Sequence, residues 1–140
     1  METLRQADIA RELVTTDMQI SRICKALHIS GQPMTDMNAV LIFASYELQL
    51  IGVQPSRSCE LVARFQGEIR YASSPDSRAW LIFIEDDVRD VILTALTARR
   101  LESILTAHPL SIVLPLHEVA QRGAERLEIM KRRLARRTAA

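Results

Sequence analysis

Cysteine is scarce in this chain, and long apolar segments are missing. The two cysteines, Cys24 and Cys59, stand where helical patterns place small apolar side chains. We therefore expect buried free thiols rather than a disulfide or a metal site. The longest apolar runs, Val40 to Ala44 and Ala79 to Ile84, are far shorter than the roughly 20 residues that cross a bilayer. No membrane-spanning segment is expected.

Signals for secretion and for catalysis are also missing. The first eight residues carry acidic side chains and no apolar stretch, which is not the layout of a secretory signal, so we expect a cytoplasmic protein. The chain has no glycine-rich phosphate loop, no nucleophile elbow and no His/Cys cluster at metal-ligand spacing. The sequence therefore predicts a protein that is not an enzyme and that needs neither cofactor nor metal.

A strong excess of charge of either sign is absent as well. The formal net charge is +1, from 18 basic and 17 acidic residues. Residues 1–66 hold six basic and seven acidic side chains, a net charge of −1, whereas residues 125–140 hold six basic and two acidic ones, a net charge of +4. A neutral first half is unusual for a protein that binds nucleic acid. The basic end is favoured in any case by the dipole of a terminal helix.

Apolar residues at three- and four-residue spacing predict helices in the first half of the chain. The predicted helices run over Gln6 to Val14, Thr16 to Leu27, Met37 to Leu50 and Pro55 to Gly67. Pro55 suits a first helical turn, and Gly52 suits the end of the preceding helix. The stretch His28 to Pro33 contains a Gly and a Pro close together, which is typical of a turn and fits a small wing.

The second half of the chain has a mixed pattern. β-Branched and aromatic residues predict a hairpin, then a helix, a buried strand and a last helix that follows Pro115. The hairpin strands are Glu68 to Tyr71 and Ala79 to Ile84, with Trp80 in the core; the helix runs from Asp86 or Asp87 to about Ala107, and the buried strand covers Leu110 to Leu114. In this order, the two strands that the helix joins are expected to lie parallel in one sheet.

These elements together predict an α+β fold with two units. Residues 1–67 form a helical unit, and residues 68–140 form a small α/β unit made of a β-hairpin, a helix, a strand and a helix.

The spacing within residues 6–27 fits a helix-turn-helix. Ala10 is a small residue at the point where the two helices cross, and Ile20 and Ile23 lock the second helix onto the first. Val14 stands at the turn, where glycine is common because the backbone there often needs a positive φ. This geometry leaves one outward face on the second helix, which can enter the major groove of DNA. The side chains on that face are Met18, Gln19, Ser21, Arg22 and Lys25.

The continuation of the chain resembles the reader domain of the MerR family. In that family a helix ends at a Leu-Gly-apolar step and a short helix with an apolar pair follows; here Leu50-Ile51-Gly52-Val53 and Leu61-Val62 match this pattern. The resemblance covers about residues 4–62. It implies a winged helix-turn-helix that binds double-stranded DNA as a homodimer. It also implies that the base-reading helix falls on Thr16 to Leu27, the wing on His28 to Pro33, and a backbone contact near Arg57.

The sequence therefore predicts a sequence-specific, DNA-binding transcriptional regulator, with a possible protein partner at the second unit. The expected DNA-contacting residues are Thr16, Met18, Gln19, Ser21, Arg22, Lys25, His28 and Arg57. One alternative is a protein-interaction factor, such as an antiactivator or a mobile-element accessory protein, that keeps the helical scaffold without binding DNA. Another is a small-molecule sensor with an apolar pocket beneath the hairpin.

Overall fold

The computed structural model describes residues 4–85 and 91–139, and within these ranges the chain has an α+β fold, as predicted. The helices are α1 (Gln6–Glu12), α2 (Asp17–Ala26), α3 (Asp36–Leu50), α4 (Pro55–Arg64), α5 (Gln66–Ala72), α6 (Ala98–Ala107) and α7 (Leu116–Ala139). The strands are β1 (Trp80–Ile84), β2 (Val91–Ala95) and β3 (Ser111–Pro115). In the described ranges, no helix is both long enough and apolar enough to cross a membrane.

Helix α3 is the centre of the molecule. All its residues from Asn38 to Leu48 are buried except Tyr46, because α4 and α5 pack against it and α7 covers another side. Ile51 lies past the end of the helix and is exposed. A helix that is apolar on all sides is stable only when it is surrounded in this way.

The first three helices each end with a residue in the left-handed region. These residues are Val14 (φ 54°), His28 (φ 62°) and Gly52 (φ 101°). After α3, the Gly52 N–H donates to Gln49 O and the Val53 N–H donates to Leu48 O, each at 3.0 Å. This is the Schellman arrangement, which satisfies the last carbonyl groups of a helix. The predicted stop at Gly52 is confirmed.

Two predictions in the connecting segments are wrong. His28 to Pro33 contains turns and no strand, because His28 completes the end of α2 and Gln32 N–H then donates to Ile29 O; a β-wing does not form there. Glu68 to Tyr71 is not a strand but lies in α5. The side chains of Ile69 and Ala72, three residues apart, are both buried in that helix, so packing on α7 overrides the β propensity of Ile69 and Tyr71.

The β-hairpin is formed by β1 and β2, and the predicted helix begins later than expected. Residues 91–95 form a strand that pairs with β1 from end to end, and α6 starts only after Thr97, whose Oγ1 accepts from the Arg100 N–H at 3.1 Å. The predicted helix start at Asp86 or Asp87 lies outside the described residues.

The sheet has the order β2-β1-β3, with β1 antiparallel to both neighbours. The prediction that Ala79 to Ile84 and Leu110 to Leu114 run parallel is therefore wrong. The physical reason is strand β2, which reverses the chain once more before α6. The strands that α6 joins, β2 and β3, do run parallel, but β1 lies between them, as in a split β-α-β unit.

The two faces of the sheet pack on different cores. Leu81 and Phe83 of β1 face the main core, which contains residues from the helices of both halves of the chain. Ile82 and Ile84 face a smaller cluster covered by α6. Trp80 packs on this second cluster but is only half-buried, and it contacts the buried His117 ring edge-on with 5.1 Å between centroids. Strand β3 was predicted to be buried, but it lies at the edge of the sheet and is only partly buried.

Helix α7 packs closely on α3 through Gly123. A Cβ atom added at Gly123 would lie 3.2 Å from both Ala44 N and Val40 O. The remaining contacts of α7 with the core are apolar and include Val119, Ala120, Leu127 and Met130. These apolar residues of α7 are buried in the main core of the same chain. They are therefore not available to pair with a second copy.

Candidate nucleic-acid interface

Helices α1 and α2 form a compact pair. Ile9 and Ala10 of α1 are buried, and Ile20 and Cys24 of α2 are buried against the same core. Ala10 and Ile20 are therefore both buried, as expected for residues on the packed sides of these helices. Ile23 is only partly buried. The result is two helices joined by a short turn and held by small and branched apolar side chains.

The turn between these helices places a β-branched residue in a left-handed conformation. Thr15 N–H donates to Ala10 O at 2.8 Å, and Val14 N–H donates to Arg11 O at 3.2 Å, so α1 ends in the Schellman arrangement with Val14 in the position that glycine usually takes. The Val14 side chain is 92% exposed. Val14 thus has the positive φ that this turn position often needs, although it is not a glycine.

Six of the eight predicted contact residues form one continuous solvent-exposed surface on α2 and its cap, which we call the α2 face. They are Thr16, Met18, Gln19, Ser21, Arg22 and Lys25. The buried side chains of the same helix lie on the opposite side, so the α2 face is not needed for the protein's own core.

Local hydrogen bonds order part of the α2 face. Thr16 Oγ1 accepts from the Gln19 N–H at 3.2 Å and caps the helix. Ser21 Oγ donates to Gln6 Oε1 of α1 at 2.9 Å. Gln6 was not predicted as a site residue, because nothing in the sequence marks a contact between positions 15 residues apart. Within residues 4–85 and 91–139, Arg22 and Lys25 form no ion pair.

The other two predicted residues lie beside α4 and differ in their surroundings. His28 is exposed and lines a cleft of about 460 Å³ between the end of α2 and α4, together with Glu60 and Arg64. Arg57, in the first turn of α4, pairs with Glu60 at 2.7 Å. The structure thus brings His28 near α4, and it pairs Arg57 with Glu60 at the surface of the same helix. Arg64 also lines the cleft, and sequence reasoning did not single it out.

Residues 1–66 have a net charge close to zero, but part of their negative charge is compensated by ion pairs with the second half of the chain. Three acidic residues of this segment are paired with basic residues of α7. Arg126 Nε lies 2.6 Å from Glu47 Oε1, Arg133 contacts both carboxylate oxygens of Glu12 at 2.9 and 3.1 Å, and Lys131 pairs with Asp36.

The remaining acidic residues of segment 4–66, which do not pair with α7, form ion pairs with nearby basic residues, with one exception. Asp8 lies beside Arg5 and Arg11, and Glu60 pairs with Arg57. Within residues 4–66, Asp17 is the acidic residue that forms no ion pair in the described part of the chain. Within the described residues, the α2 face therefore carries two cationic side chains without an ion pair, and Asp17, in the first turn of α2, is an acidic neighbour without one.

The two cysteines are free and buried, as predicted. Cys24 lies under the α2 face, and burial raises the pKa of its thiol, an effect that a backbone hydrogen bond partly opposes. A protonated, buried thiol is a poor nucleophile and a poor metal ligand. Among the described residues, no three His, Cys, Asp or Glu side chains come together as a metal site.

Comparison with known proteins gives no relative for this arrangement: no protein-family model, curated protein or solved structure is detectably similar to the chain.

Proposed function

We propose that the protein is a DNA-binding transcriptional regulator that reads duplex DNA through the α2 face, in the manner of a MerR-like helix-turn-helix. The observation that supports this most directly is the division of α2 into two sides. One side is buried by Ile20 and Cys24, and the other presents polar and cationic side chains to solvent.

In this proposal α2 lies in the major groove and α1 lies across the backbone. Gln19 and Arg22 carry the chemistry for base reading, because an amide pairs with adenine and a guanidinium pairs with guanine through two hydrogen bonds. Ser21 is oriented by Gln6 and offers its remaining hydrogen-bonding capacity to the groove. Lys25 and His28 lie further along and contact phosphates. Met18, 64% exposed, supplies an apolar contact of the kind that thymine methyl groups accept.

The charges of the molecule are compatible with this role. Phosphate contacts supply much of the affinity of DNA-binding proteins. The net charge of −1 for residues 1–66 is unfavourable for such contacts only when this segment is counted without α7. Because basic residues of α7 pair with Glu12, Asp36 and Glu47, these three acidic side chains are compensated and oppose phosphate contacts less than the sequence count implies.

The test is a fluorescence anisotropy titration on a duplex selected from a random-sequence pool. We expect Arg22→Ala to lower the affinity about 5- to 150-fold, which corresponds to the loss of one bidentate base contact. Lys25→Ala should weaken binding to all sequences and reduce the slope of log K against log salt by about 1. Arg99→Ala, an exposed arginine of α6, is the matched control and should bind as the unchanged protein does. Equal binding by all four proteins would refute the proposed interface.

We further propose that the regulator acts as a homodimer joined through β3. Among the described residues this strand has one neighbour, β1, and its other edge pairs with no strand there. Leu110 is 94% exposed and Ile112 is 72% exposed, which gives the edge an apolar surface. An open strand edge pairs readily with another strand, and two copies related by a twofold axis present the same edge to each other. The same surface favours the second candidate function, in which a different protein partner occupies it and DNA is not bound.

A further inference from the structure

Three exposed arginines near the end of α7 make no polar contact with the rest of the molecule. They are Arg132, Arg136 and Arg137, and we call this surface the α7 end. Within residues 4–85 and 91–139, no ion pair or hydrogen bond engages their side chains. Their neighbours Lys131 and Arg133 differ, because each pairs with an acidic residue of the first half of the chain. The α7 end therefore carries positive charge that these internal ion pairs do not use.

The helix dipole explains only part of this charge. Cations stabilise a helix mainly within its last turn, and the last turn of α7 holds Arg136 and Arg137. Arg132 lies about two turns before the last residue of the helix, Ala139. Arg132 and Arg136 are also four residues apart, a spacing at which like charges on a helix repel each other. Stabilisation of α7 alone therefore does not account for the cluster.

Ion pairs on both flanks of α7 fix the position of the α7 end. On one flank, Arg133 contacts both carboxylate oxygens of Glu12, the last residue of α1, at 2.9 and 3.1 Å. On the other flank, Lys131 pairs with Asp36, the first residue of α3. The α7 end is therefore held beside the helix that precedes the α2 face.

Helix α1 contacts α2 and α7 through different sides. Gln6 accepts a hydrogen bond from Ser21 of α2, whereas Glu12 meets α7, and these two positions project about 120° apart around a helix of 3.6 residues per turn. The exposed Arg11 of α1 and Arg137 line the same cleft between α1 and α7. Cationic side chains therefore continue from α1 to the α7 end.

We propose that the α7 end contacts backbone phosphates of the duplex that the α2 face reads, next to the phosphates that α1 crosses. The inference rests on the proposed function, in which α1 lies across the DNA backbone. A guanidinium binds a phosphate group through two parallel hydrogen bonds. Three such contacts supply electrostatic affinity that residues 1–66, with a net charge of −1, lack.

The experiment measures DNA binding of the full chain by fluorescence anisotropy at a series of salt concentrations. The triple variant Arg132→Gln/Arg136→Gln/Arg137→Gln should reduce the slope of log K against log salt by about 2 to 3, since each phosphate contact contributes about 0.9. Arg136→Gln alone should reduce it by about 1. The ratio of affinities for the selected duplex and a scrambled one should stay unchanged, because phosphate contacts carry no sequence information.

A second triple variant controls for the loss of net charge. Arg78→Gln/Arg99→Gln/Arg100→Gln removes the same charge from exposed positions outside α7 that form no ion pair in the described part of the chain. It should change the slope by less than about 1. The inference is wrong if both triple variants change the slope equally, or if the α7 variant keeps the slope of the unchanged protein.

Failure of this inference differs from failure of the proposed function. If Arg22→Ala loses affinity while the α7 variant keeps its slope, only the contact at the α7 end is wrong. If Arg22→Ala binds normally while the α7 variant loses slope, base reading by Arg22 is wrong and the phosphate contact is supported. If the α7 variant loses binding to phosphatidylserine vesicles but keeps its DNA slope, the surface belongs to an anionic membrane, and the inference is overturned.

Discussion

Val14 combines two properties that rarely occur together, a branched side chain and a left-handed backbone. The conformation costs an L-residue roughly 1–2 kcal/mol, because Cβ approaches the following carbonyl oxygen. The strain persists because both hydrogen bonds of the turn are formed and because the side chain meets only solvent. At the residue scale, this turn therefore stores strain next to the helix that carries the proposed function.

Replacing Val14 with glycine should stabilise the protein. Glycine adopts a positive φ freely but costs more conformational entropy on folding, so we expect a net gain of about 0.5–1 kcal/mol in the free energy of unfolding. Chemical denaturation with urea measures it. Thr15→Gly is the control: Thr15 is also exposed but does not have a positive φ, so this change should destabilise by a similar amount. Stabilisation by both changes, or by neither, would contradict the strain at Val14.

At the scale of single elements, Gly123 sets the distance between α3 and α7. Alanine is preferred to glycine inside helices by about 1 kcal/mol, but here a methyl group would press on backbone atoms of α3 at 3.2 Å. Since α3 is packed on several sides, it has little room to move. The close approach outweighs the helix propensity at this position.

Gly123→Ala should consequently lower the free energy of unfolding by about 1–2 kcal/mol, within the range that overpacked cores show. The urea midpoint should fall while the m-value stays unchanged. Gly67→Ala is the matched control, because Gly67 lies in α5 with no atom within 4 Å of an added Cβ; it should stabilise the protein by about 0.5–1 kcal/mol. A stabilising effect at position 123 would show that α7 shifts easily on α3.

Sequence patterns predicted the elements whose burial is periodic and missed those that tertiary packing decides. Helices α1 to α4 and α7 follow their apolar spacing and their stop signals, such as Gly52. Strand β2 was assigned to a helix because Val91, Ile92 and Ala95 also satisfy helical spacing, and α5 was assigned to a strand because its few apolar residues are β-branched or aromatic. Pairing with β1 makes residues 91–95 a strand, and packing on α7 makes residues 66–72 a helix. Neither long-range contact can be recognised from the local sequence.

For the candidate interface, the sequence predicted which side chains are exposed but not the ion pairs around them. The α2 face is exposed because the same periodicity that buries Ile20 and Cys24 turns Gln19, Arg22 and Lys25 outward. The ion pairs from α7 join residues 79 to 121 positions apart, so a local count of charges could not reveal them.

At the scale of the whole molecule, the open edge of β3 predicts a dimer. The 15.8 kDa chain should sediment at about twice that mass at micromolar concentrations. Ile112→Lys should make it monomeric, because a charge on an edge strand opposes pairing, and should weaken binding to a two-half-site duplex. Thr94→Lys, which places a lysine on the opposite edge strand β2, should leave the dimer intact. A dimer that survives Ile112→Lys would place the subunit contact elsewhere.

Helix α7 begins at the end of the sheet and finishes beside α1, and the core it closes is built from both halves of the chain. Cutting the chain after Gly67 would leave the α7-facing side of α3 bare and Glu12, Asp36 and Glu47 without their cationic partners. Residues 1–67 are thus not expected to fold as a stable domain without α7. A substitution in the α7-facing side of α3 and one in α7 should therefore affect stability non-additively.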